Sequence, residues 1–355
     1  MADVATRPSA TPGLRTVSLF GALQVRSMRR SMLSVAVVLV LTAALLVVQL
    51  LTGDFPLTVS RILATFSGRG TPGEEFILYT LRLPRALTAI LAGAAFGASG
   101  AVYQSVTRNP LGSPDLIGFT YGASFAAVFA IVVLGSSDVG ITVAALAGGL
   151  AVAVLVYVLS YRGGVSGYRL ILVGIGIGSV LASFISYLLA KARITDAQDA
   201  YVWLVGSLNG RGWTDVQIGL VGLLVLGPVL IALGPGLRMA EMGDDAARAL
   251  GTPVDRNRLC ALGFGAALCA VAVVCAGPIT FVSLAAPQIA RRIGGTPSVQ
   301  VIPAMAVGAF LLLASDTLSQ KLFASSQLPV GIATLAVGGA YLAWLIAREG
   351  RGRIG

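Results

Sequence analysis

The chain has 355 residues, of which 56% are hydrophobic and 11% are charged, and its formal net charge is +10 at pH 7. An average soluble domain has about 25% charged residues, so this composition excludes a water-soluble globular protein and a polar disordered chain. The sequence contains no histidine and only three cysteines, without a Cys-x-x-Cys pair. The usual ligand sets of zinc and haem sites are therefore excluded, and Cys260, Cys269 and Cys275 are predicted to be small buried apolar side chains.

Nine segments of at least 20 residues contain no Asp, Glu, Lys or Arg. They are residues 31–53, 86–107, 116–137, 139–161, 170–190, 216–237, 259–290, 293–315 and 322–347. A transmembrane helix needs about 20 mostly apolar residues to cross the hydrocarbon core of a bilayer. These segments predict an all-α polytopic membrane protein whose charged residues lie in the connections.

The segment 259–290 is 32 residues long, which is too long for one membrane helix and too short for two complete ones. It contains Gly277-Pro278, and proline lacks the N–H that a continuing helix requires. We therefore predict a full span, a tight turn and a shorter returning helix. The predicted total becomes ten transmembrane helices.

Charge placement favours ten crossings with both termini in the cytoplasm. In that topology the inner connections hold 17 of the 25 basic residues and seven of the 15 acidic ones, and the outer connections hold eight of each. Basic residues near membrane helices favour the cytoplasmic side, so the net charge reflects topology rather than a nucleic-acid-binding surface. The predicted organisation is a disordered cytoplasmic lead-in (residues 1–30), a ten-helix transmembrane domain (residues 31–347) and a short basic cytoplasmic tail (residues 348–355).

The sequence offers no internal energy source of the usual kinds. No ionisable residue lies in the middle of a predicted span, where one commonly marks a proton or ion pathway, and Asp316 falls at the outer end of the ninth span. A P-loop needs a lysine after its glycine-rich turn, but the only lysines, Lys191 and Lys321, follow no such turn. If ATP drives the protein, another polypeptide binds the ATP. Sodium coupling through backbone carbonyls stays open as an alternative.

The longest internal cytoplasmic connection, residues 238–258, has the pattern of a short surface helix. Asp244 and Asp245 suit the first turn of this helix, and Gly251 suits its end. A narrow apolar stripe on the helix would consist of Met242, Ala246, Ala249 and Leu250. Two interpretations stay open on spacing alone: the stripe lies in a groove of a partner protein, or it packs on the chain's own helices.

Three pairs of glycines are spaced four residues apart: Gly93 with Gly97, Gly118 with Gly122, and Gly174 with Gly178. Each pair places small residues on one helix face, so neighbouring helices can approach closely there. The last pair belongs to a run that looks like a nucleotide-binding loop but lacks the preceding soluble strand. We therefore predict helix packing at all three positions.

Several distinct sequence motifs are spread along the chain. They are Arg82-Leu-Pro-Arg85, the small-residue run Gly93–Gly100, the run Arg108–Gly118, the run Gly277–Pro287 followed by Ile289-Ala-Arg291, and Leu328-Pro-Val-Gly331. Together they resemble the FecCD family, the permease subunits of ABC importers for iron-siderophores, haem and cobalamin, over residues 31–347. Within the family the chain is most similar to the ferric-enterobactin type. Gln320, Gln327 and Ala340 stand where many members have Arg, Glu and Pro, and these departures are typical of that branch.

The resemblance implies a ten-helix permease subunit that moves a ferric siderophore, catecholate or related, across the bacterial cytoplasmic membrane. It implies no enzymatic activity and no cofactor on this chain, because ATP and magnesium bind to a pair of partner ATPases. The other implied partners are an extracytoplasmic siderophore-binding protein and a second permease subunit, which in this branch is a paralogue.

The resemblance also assigns roles to residues. Arg82 and Arg85 would pair with acidic residues of the binding protein, the alternative being ordinary anchoring at the membrane interface. The ATPase would dock on Glu241, Met242, Gly243, Asp244, Asp245, Ala246, Leu250 and Gly251. Candidates for lining the path between two permease subunits are Tyr103, Gln104, Asn109 and Tyr121, with packing or interfacial anchoring as the alternative.

The sequence leaves one alternative cargo open and disfavours two other functions. A cobalamin or haem importer with the same fold stays open, because the binding protein sets much of the selectivity in such systems. An ion-coupled secondary carrier is disfavoured by the lack of charged residues inside the predicted spans. An enzyme is disfavoured further, since the chain has no histidine and no polar cluster at depth to serve as acid or base.

Overall fold

The computed structural model describes residues 13–53, 55–115, 117–161, 167–296, 298, 300–322 and 329–351. These residues form helices joined by turns, and no strand occurs among them. The predicted all-α fold class is therefore confirmed for this part of the chain. Residues 1–12 of the predicted lead-in, residues 352–355 of the predicted tail and the motif positions Gln327 and Leu328 lie outside the described residues.

The helices follow one another with short connections. In chain order they are α1 (Gly13–Leu51), α2 (Val59–Phe66), α3 (Pro72–Glu75), a π-helical segment (Phe76–Arg82), α4 (Leu83–Thr107), α5 (Phe119–Val132), α6 (Asp138–Ser160), α7 (Gly167–Lys191), α8 (Ile194–Val205), α9 (Trp213–Glu241), α10 (Asp244–Ala249), α11 (Val254–Ala276), α12 (Thr280–Gly294), α13 (Val301–Leu322) and α14 (Val330–Arg351). Each charge-free segment overlaps most of one of these helices, and the segment 259–290 contains parts of two.

Seven of the described helical stretches are long and apolar enough to cross a membrane. They are α1 from Arg29 onward, the continuous stretch from α3 through α4, and α6, α7, α9, α11 and α13. α5 and residues Val330–Ala340 of α14 are shorter apolar helices, and α12 has 15 residues. A polytopic membrane fold follows, while the count of ten crossings and the cytoplasmic position of both termini stay predictions.

The predicted break in the segment 259–290 is confirmed. α11 ends at Ala276 and α12 begins at Thr280. Between them Gly277 has a φ of 76°, in the left-handed region that favours glycine. A Cβ atom at Gly277 would lie 2.7 Å from Cα of Gly206, so two turns meet at this point without room for a side chain.

α4 lies in the centre of the bundle, and glycine sets its closest contacts. A Cβ atom at Gly97 would lie 2.2 Å from the carbonyl oxygen of Ala304 in α13, and one at Gly93 would lie 2.4 Å from that of Gly308. Because these distances are far shorter than van der Waals contact, the two helices can cross here only with glycine. Close packing at the pair Gly93 and Gly97 is thus confirmed.

Two of the three cysteines of α11 are fully buried, as predicted. Cys269 and Cys275 have no exposed surface, and Cys260 is half-buried. All three are free thiols. They contribute packing volume to the core.

Helix occupies more of the chain than the charge-free segments cover. α1 begins at Gly13, so residues 13–30 of the predicted lead-in are helical. α8 lies between the fifth and sixth predicted spans and contains Asp196 and Asp199. A search for charge-free segments passes over such a helix, because its charged residues interrupt the apolar run.

Candidate functional site

The bundle has two ends with polar clusters. We call them the α10 end, which carries the connection from α9 through α10 to α11, and the α8 end, which carries α8 and the π-helical segment. The residues predicted for ATPase docking lie at the α10 end, and those predicted for binding-protein docking lie at the α8 end.

At the α10 end, a six-residue helix is held between two glycines. Gly243 precedes α10 with a φ of 120°, and Gly251 follows it with a φ of 81°, conformations that other residues adopt only with strain. Ala247 packs in a small cluster with Ala240 and Val254, so α10 lies against the ends of α9 and α11. The predicted short helix, beginning at Asp244 and stopped near Gly251, is confirmed.

The predicted apolar stripe points away from the rest of the chain. Met242 and Leu250 are 62% and 63% exposed, and Ala246 and Ala249 are exposed as well. The stripe therefore does not pack on the described helices. It leaves an apolar surface on α10 that is open to a partner.

Asp244 ties α10 to two long helices. Its carboxylate accepts two hydrogen bonds from Arg258 of α11, at 2.7 and 2.8 Å, and one from Arg108 at the end of α4. Arg108 also donates to the carbonyl oxygen of Ala240. Burial raises the pKa of Asp244, but hydrogen bonds and positive charge from Arg258 and Arg108 outweigh burial and hold the pKa below its ordinary value. The Asp244 carboxylate is therefore ionised at neutral pH.

A small polar cavity of about 170 Å³ adjoins this cluster. Its lining residues are Gln104, Arg108, Asn109, Pro110, Glu241, Gln288 and Arg291. Gln104 donates to the carbonyl oxygen of Leu284 at 2.9 Å and accepts from Gln288. Glu241 accepts from Ser105 of α4 at 2.6 Å. Two predicted path residues, Gln104 and Asn109, thus border the same space as the predicted docking residue Glu241.

The two tyrosines predicted as path residues lie elsewhere. Tyr103 is 2% exposed, and its hydroxyl donates to the carbonyl oxygen of Leu262 at 3.2 Å. Tyr121 is 44% exposed, and its ring lies over Gly178 of α7. The structure thus brings Gln104 and Asn109 together but not the tyrosines, and a path-lining role for any of the four stays a prediction.

At the α8 end, the motif with Arg82 and Arg85 lies where the π-helical segment passes into α4. Pro84 lacks an N–H and crowds the preceding turn, which favours the wider π-helical geometry. Arg82 donates to the carbonyl oxygens of Leu50 and Phe55, at 2.7 and 2.6 Å. Arg82 therefore holds the turn that follows α1.

Arg85 forms the most enclosed ion pair among the described residues. Its guanidinium donates to both carboxylate oxygens of Asp316 in α13, with a shortest distance of 2.7 Å. Asp316 has no exposed surface, and the side chain of Arg85 is 18% exposed. Gln49 of α1 and Gln320 also donate to Asp316, at 2.7 and 2.8 Å. Asp316 therefore connects α1, α4 and α13, and the predicted docking role of Arg85 stays a prediction.

Sequence reasoning did not identify the partners in these clusters. It assigned no role to Arg258, and it did not pair Arg85 with Asp316. It also passed over Asp115, which accepts hydrogen bonds from Thr120 and from Ser283 of α12. The small number of charged residues, 11% of the chain, could have pointed to these partners. A charged side chain beside an apolar segment is costly unless it is paired.

No group of three or more Cys, Asp or Glu side chains that could hold a metal ion occurs in the described ranges. The polar side chains at the two ends connect helices to one another. Together with the apolar helices and the open surface of α10, they define a polytopic membrane protein with an apolar surface that is open to a partner.

Comparison with known proteins gives the family. The FecCD transport family matches residues 19–348, and the chain belongs to it. The ferric enterobactin transport system permease protein FepG of Escherichia coli strain K12 is 41% identical over 302 residues, which cover 84% of this chain and 91% of FepG. The iron(3+)-hydroxamate import system permease protein FhuG of Bacillus subtilis strain 168 is 32% identical over 328 residues, which cover 90% of this chain and 98% of FhuG.

A solved structure agrees with this assignment. A transporter described as metal-chelate type ABC, in an inward-facing conformation, matches with a TM-score of 0.80 and 26% identity over 88% of this chain and 98% of its own. The resemblance to the FecCD family, and to the ferric-enterobactin type within it, is therefore confirmed. The chain is an ABC transporter permease of the cell membrane, a non-enzymatic subunit whose ATPase is a separate protein.

Proposed function

We propose that this chain is one of two permease subunits through which a ferric siderophore, of catecholate or related chemistry, enters the cytoplasm. The proposed cargo is supported by the 41% identity to a ferric enterobactin permease, compared with 32% identity to a hydroxamate permease. The second permease subunit is a paralogue. A pair of ATPases supplies ATP and magnesium, and an extracytoplasmic binding protein delivers the siderophore.

The proposed topology has ten crossings, with both termini and the α10 end in the cytoplasm. The excess of basic residues on the inner connections supports it. In this orientation Arg82 and Arg85 lie on the outer side, where the binding protein docks. The open stripe of Met242 and Leu250 faces the ATPase.

Coupling would run through the contacts of α10. An ATPase that moves α10 also moves Asp244, and Asp244 is bonded to the ends of α4 and α11. At Gly93 and Gly97 the backbone of α4 is in direct contact with that of α13. A displacement of α10 is therefore passed to the central helix rather than absorbed in a flexible loop. Gln104 and Asn109 border the cavity beside this connection and are proposed to contact the path.

The proposed cargo is tested by uptake. In a strain lacking only this gene, uptake of radiolabelled iron supplied as a ferric catecholate should fall at least tenfold. The complemented strain should recover this uptake. Uptake of labelled cobalamin and haem serves as the internal control. A defect in cobalamin or haem uptake with normal siderophore uptake would replace the proposed cargo with the alternative one.

The proposed coupling role is tested at the two glycines that flank α10. Gly243→Val and Gly251→Val should each reduce import about tenfold, because valine at a positive φ costs about 1–3 kcal/mol and shifts α10. A Cβ atom would meet nothing within 4 Å at either glycine, so the effect is conformational rather than steric. The measurements are siderophore uptake and the amount of permease in the membrane.

Gly210 offers a matched control for these two variants. It has a φ of 73° and equally open surroundings, but it lies at the α8 end. Gly210→Val should store similar strain without touching α10, so import should stay near normal. Equal losses in all three variants would show that backbone strain alone, and not the position of α10, decides import.

A further inference from the structure

A large cavity lies between α1, α4, α9 and the start of α13 at the α10 end. Its volume is about 780 Å³, within the range of about 300–1,000 Å³ that is usual for ligand sites. The apolar part of its lining consists of Val35, Leu39, Val102, Ile231, Leu237 and Ile302. None of the roles assigned above uses this cavity.

The depth of the cavity corresponds to one leaflet of the bilayer. Its lining on α1 runs from Ser31 to Leu39, and on α9 from Ile231 to Arg238. At 1.5 Å per residue these stretches are about 10–12 Å long, and half of the hydrocarbon core is about 15 Å thick. Met32, Leu39 and Ile302 are 66%, 53% and 50% exposed, so the cavity is a groove that opens sideways toward lipid.

Polar groups cluster only at the mouth of the groove. Ser31 donates to the side-chain oxygen of Gln300 at 2.9 Å, and Thr296 and Arg238 line the same level. Arg238 forms no hydrogen bond or salt bridge among the described residues, and its positive charge acts on the nearby carboxylate of Glu241. Its Nη1 lies 3.7 Å from the position of a Cβ atom at Gly234, another lining residue. The guanidinium of Arg238 is thus folded back over the mouth of the groove.

We propose that this groove binds one phospholipid with an anionic headgroup, taken from the cytoplasmic leaflet. The acyl chains lie between α1 and α9 on the floor formed by Val102, and Arg238 and the hydroxyl groups at the mouth hold the phosphate. A basic group above an apolar groove between membrane helices is the arrangement that selects anionic lipids. The proposal needs the membrane location of the chain but not its cargo, and only the choice of leaflet rests on the topology proposed above.

The experiment uses the full chain, purified with its co-expressed partner subunits in a neutral detergent. Native mass spectrometry counts the phosphatidylglycerol molecules retained per permease chain, and thermal unfolding is followed with added phosphatidylglycerol, phosphatidylcholine or inorganic phosphate. We expect one retained phosphatidylglycerol, and a rise of the unfolding midpoint with this lipid alone. Arg238→Gln should weaken its binding about fivefold, because one basic contact is lost.

A second variant fills the groove. Gly234→Leu places a side chain where only Nη1 of Arg238 lies within 4 Å, so it should fold normally and lose the bound lipid. Gly263→Leu on α11 is the matched control, because a Cβ atom there also meets nothing within 4 Å and Gly263 does not line the groove. Gly263→Leu should keep the lipid.

Several results would overturn the proposal. Equal retention of phosphatidylcholine and phosphatidylglycerol would remove the role of Arg238. Stabilisation by inorganic phosphate alone would make the mouth a simple anion site. An unchanged lipid count in Gly234→Leu would place the retained lipid elsewhere on the protein, and cross-linking of the groove to a neighbouring subunit would make it a protein interface.

Discussion

Replacing Arg85 by Met should destabilise the protein by about 3–5 kcal/mol, because it leaves the Asp316 carboxylate buried without a cation. Asp316 has no exposed surface and cannot recover its hydration. The amides of Gln49 and Gln320 remain as donors, but neutral donors do not balance a full charge. The measurements are the thermal unfolding midpoint of the purified transporter and the amount of permease in the membrane.

The double variant Arg85→Met with Asp316→Leu should be more stable than either single variant. It removes both charges at once, and replacing a whole buried ion pair with apolar side chains is often close to neutral. Arg69→Met is the control, because Arg69 is exposed in a turn near the same end of the bundle, and its loss should change stability by less than about 0.5 kcal/mol. A double variant as unstable as Arg85→Met would contradict this account.

The same double variant tests the proposed docking role of Arg85. If it folds but imports poorly, Arg85 acts outside the chain, on the binding protein. If it folds and imports normally, the pairing with Asp316 is the whole role of Arg85. Exposed charge pairs between proteins mainly affect association rate, so a docking defect should weaken as the concentration of binding protein is raised.

The sequence predicted the apolar helices well because one physical rule dominates them. A span of about 20 residues cannot carry unpaired charge through hydrocarbon, so every charge-free segment overlaps most of a helix. The helix break at Gly277 could also be predicted from the sequence, since a Gly-Pro pair ends a helix locally. α8 was missed for the opposite reason, because Asp196 and Asp199 interrupt its apolar residues.

The ion pairs could not be predicted from spacing. Arg85 and Asp316 are 231 residues apart in sequence, and no local periodicity connects them. Arg258 and Asp244 are 14 residues apart but lie on different helices, so helical spacing did not relate them either. What the sequence did predict at this site was local: the short helix, its two glycines and its apolar stripe.

Replacing Asp244 by Asn should reduce import at least tenfold while the transporter still assembles in the membrane. Asn keeps the shape of the side chain but removes the charge that Arg258 and Arg108 share. The side chain of Arg258 is only 8% exposed, so little water can replace the charge-assisted hydrogen bonds that it donates to the Asp244 carboxylate. Losing a hydrogen bond to a charged group costs about 1.5–3 kcal/mol, reduced here because Asp244 itself is partly exposed.

The defect of Asp244→Asn should not depend on pH near neutrality. The pKa of Asp244 in the folded protein lies below its ordinary value of 3.8, so the stabilisation that its charge provides is present above about pH 4. It is lost only as the pH falls through the lowered pKa. Unfolding midpoints of the unmodified protein measured between pH 6 and pH 8 should therefore show no titration from this group.

The variant Asp245→Asn distinguishes a contact with the ATPase from the positioning of α10. The side chain of Asp245 is fully exposed, and it forms only a loose 3.6 Å pair with the exposed Arg248, so Asp245→Asn should leave stability unchanged. If Asp244→Asn loses import and stability together, and Asp245→Asn loses import alone, then Asp244 holds α10 in place and Asp245 contacts the ATPase. Normal import in Asp244→Asn would mean that motion of α10 reaches α4 by another route. The remaining observed contacts are the bond between Glu241 and Ser105 and the bond from Arg108 to the carbonyl oxygen of Ala240.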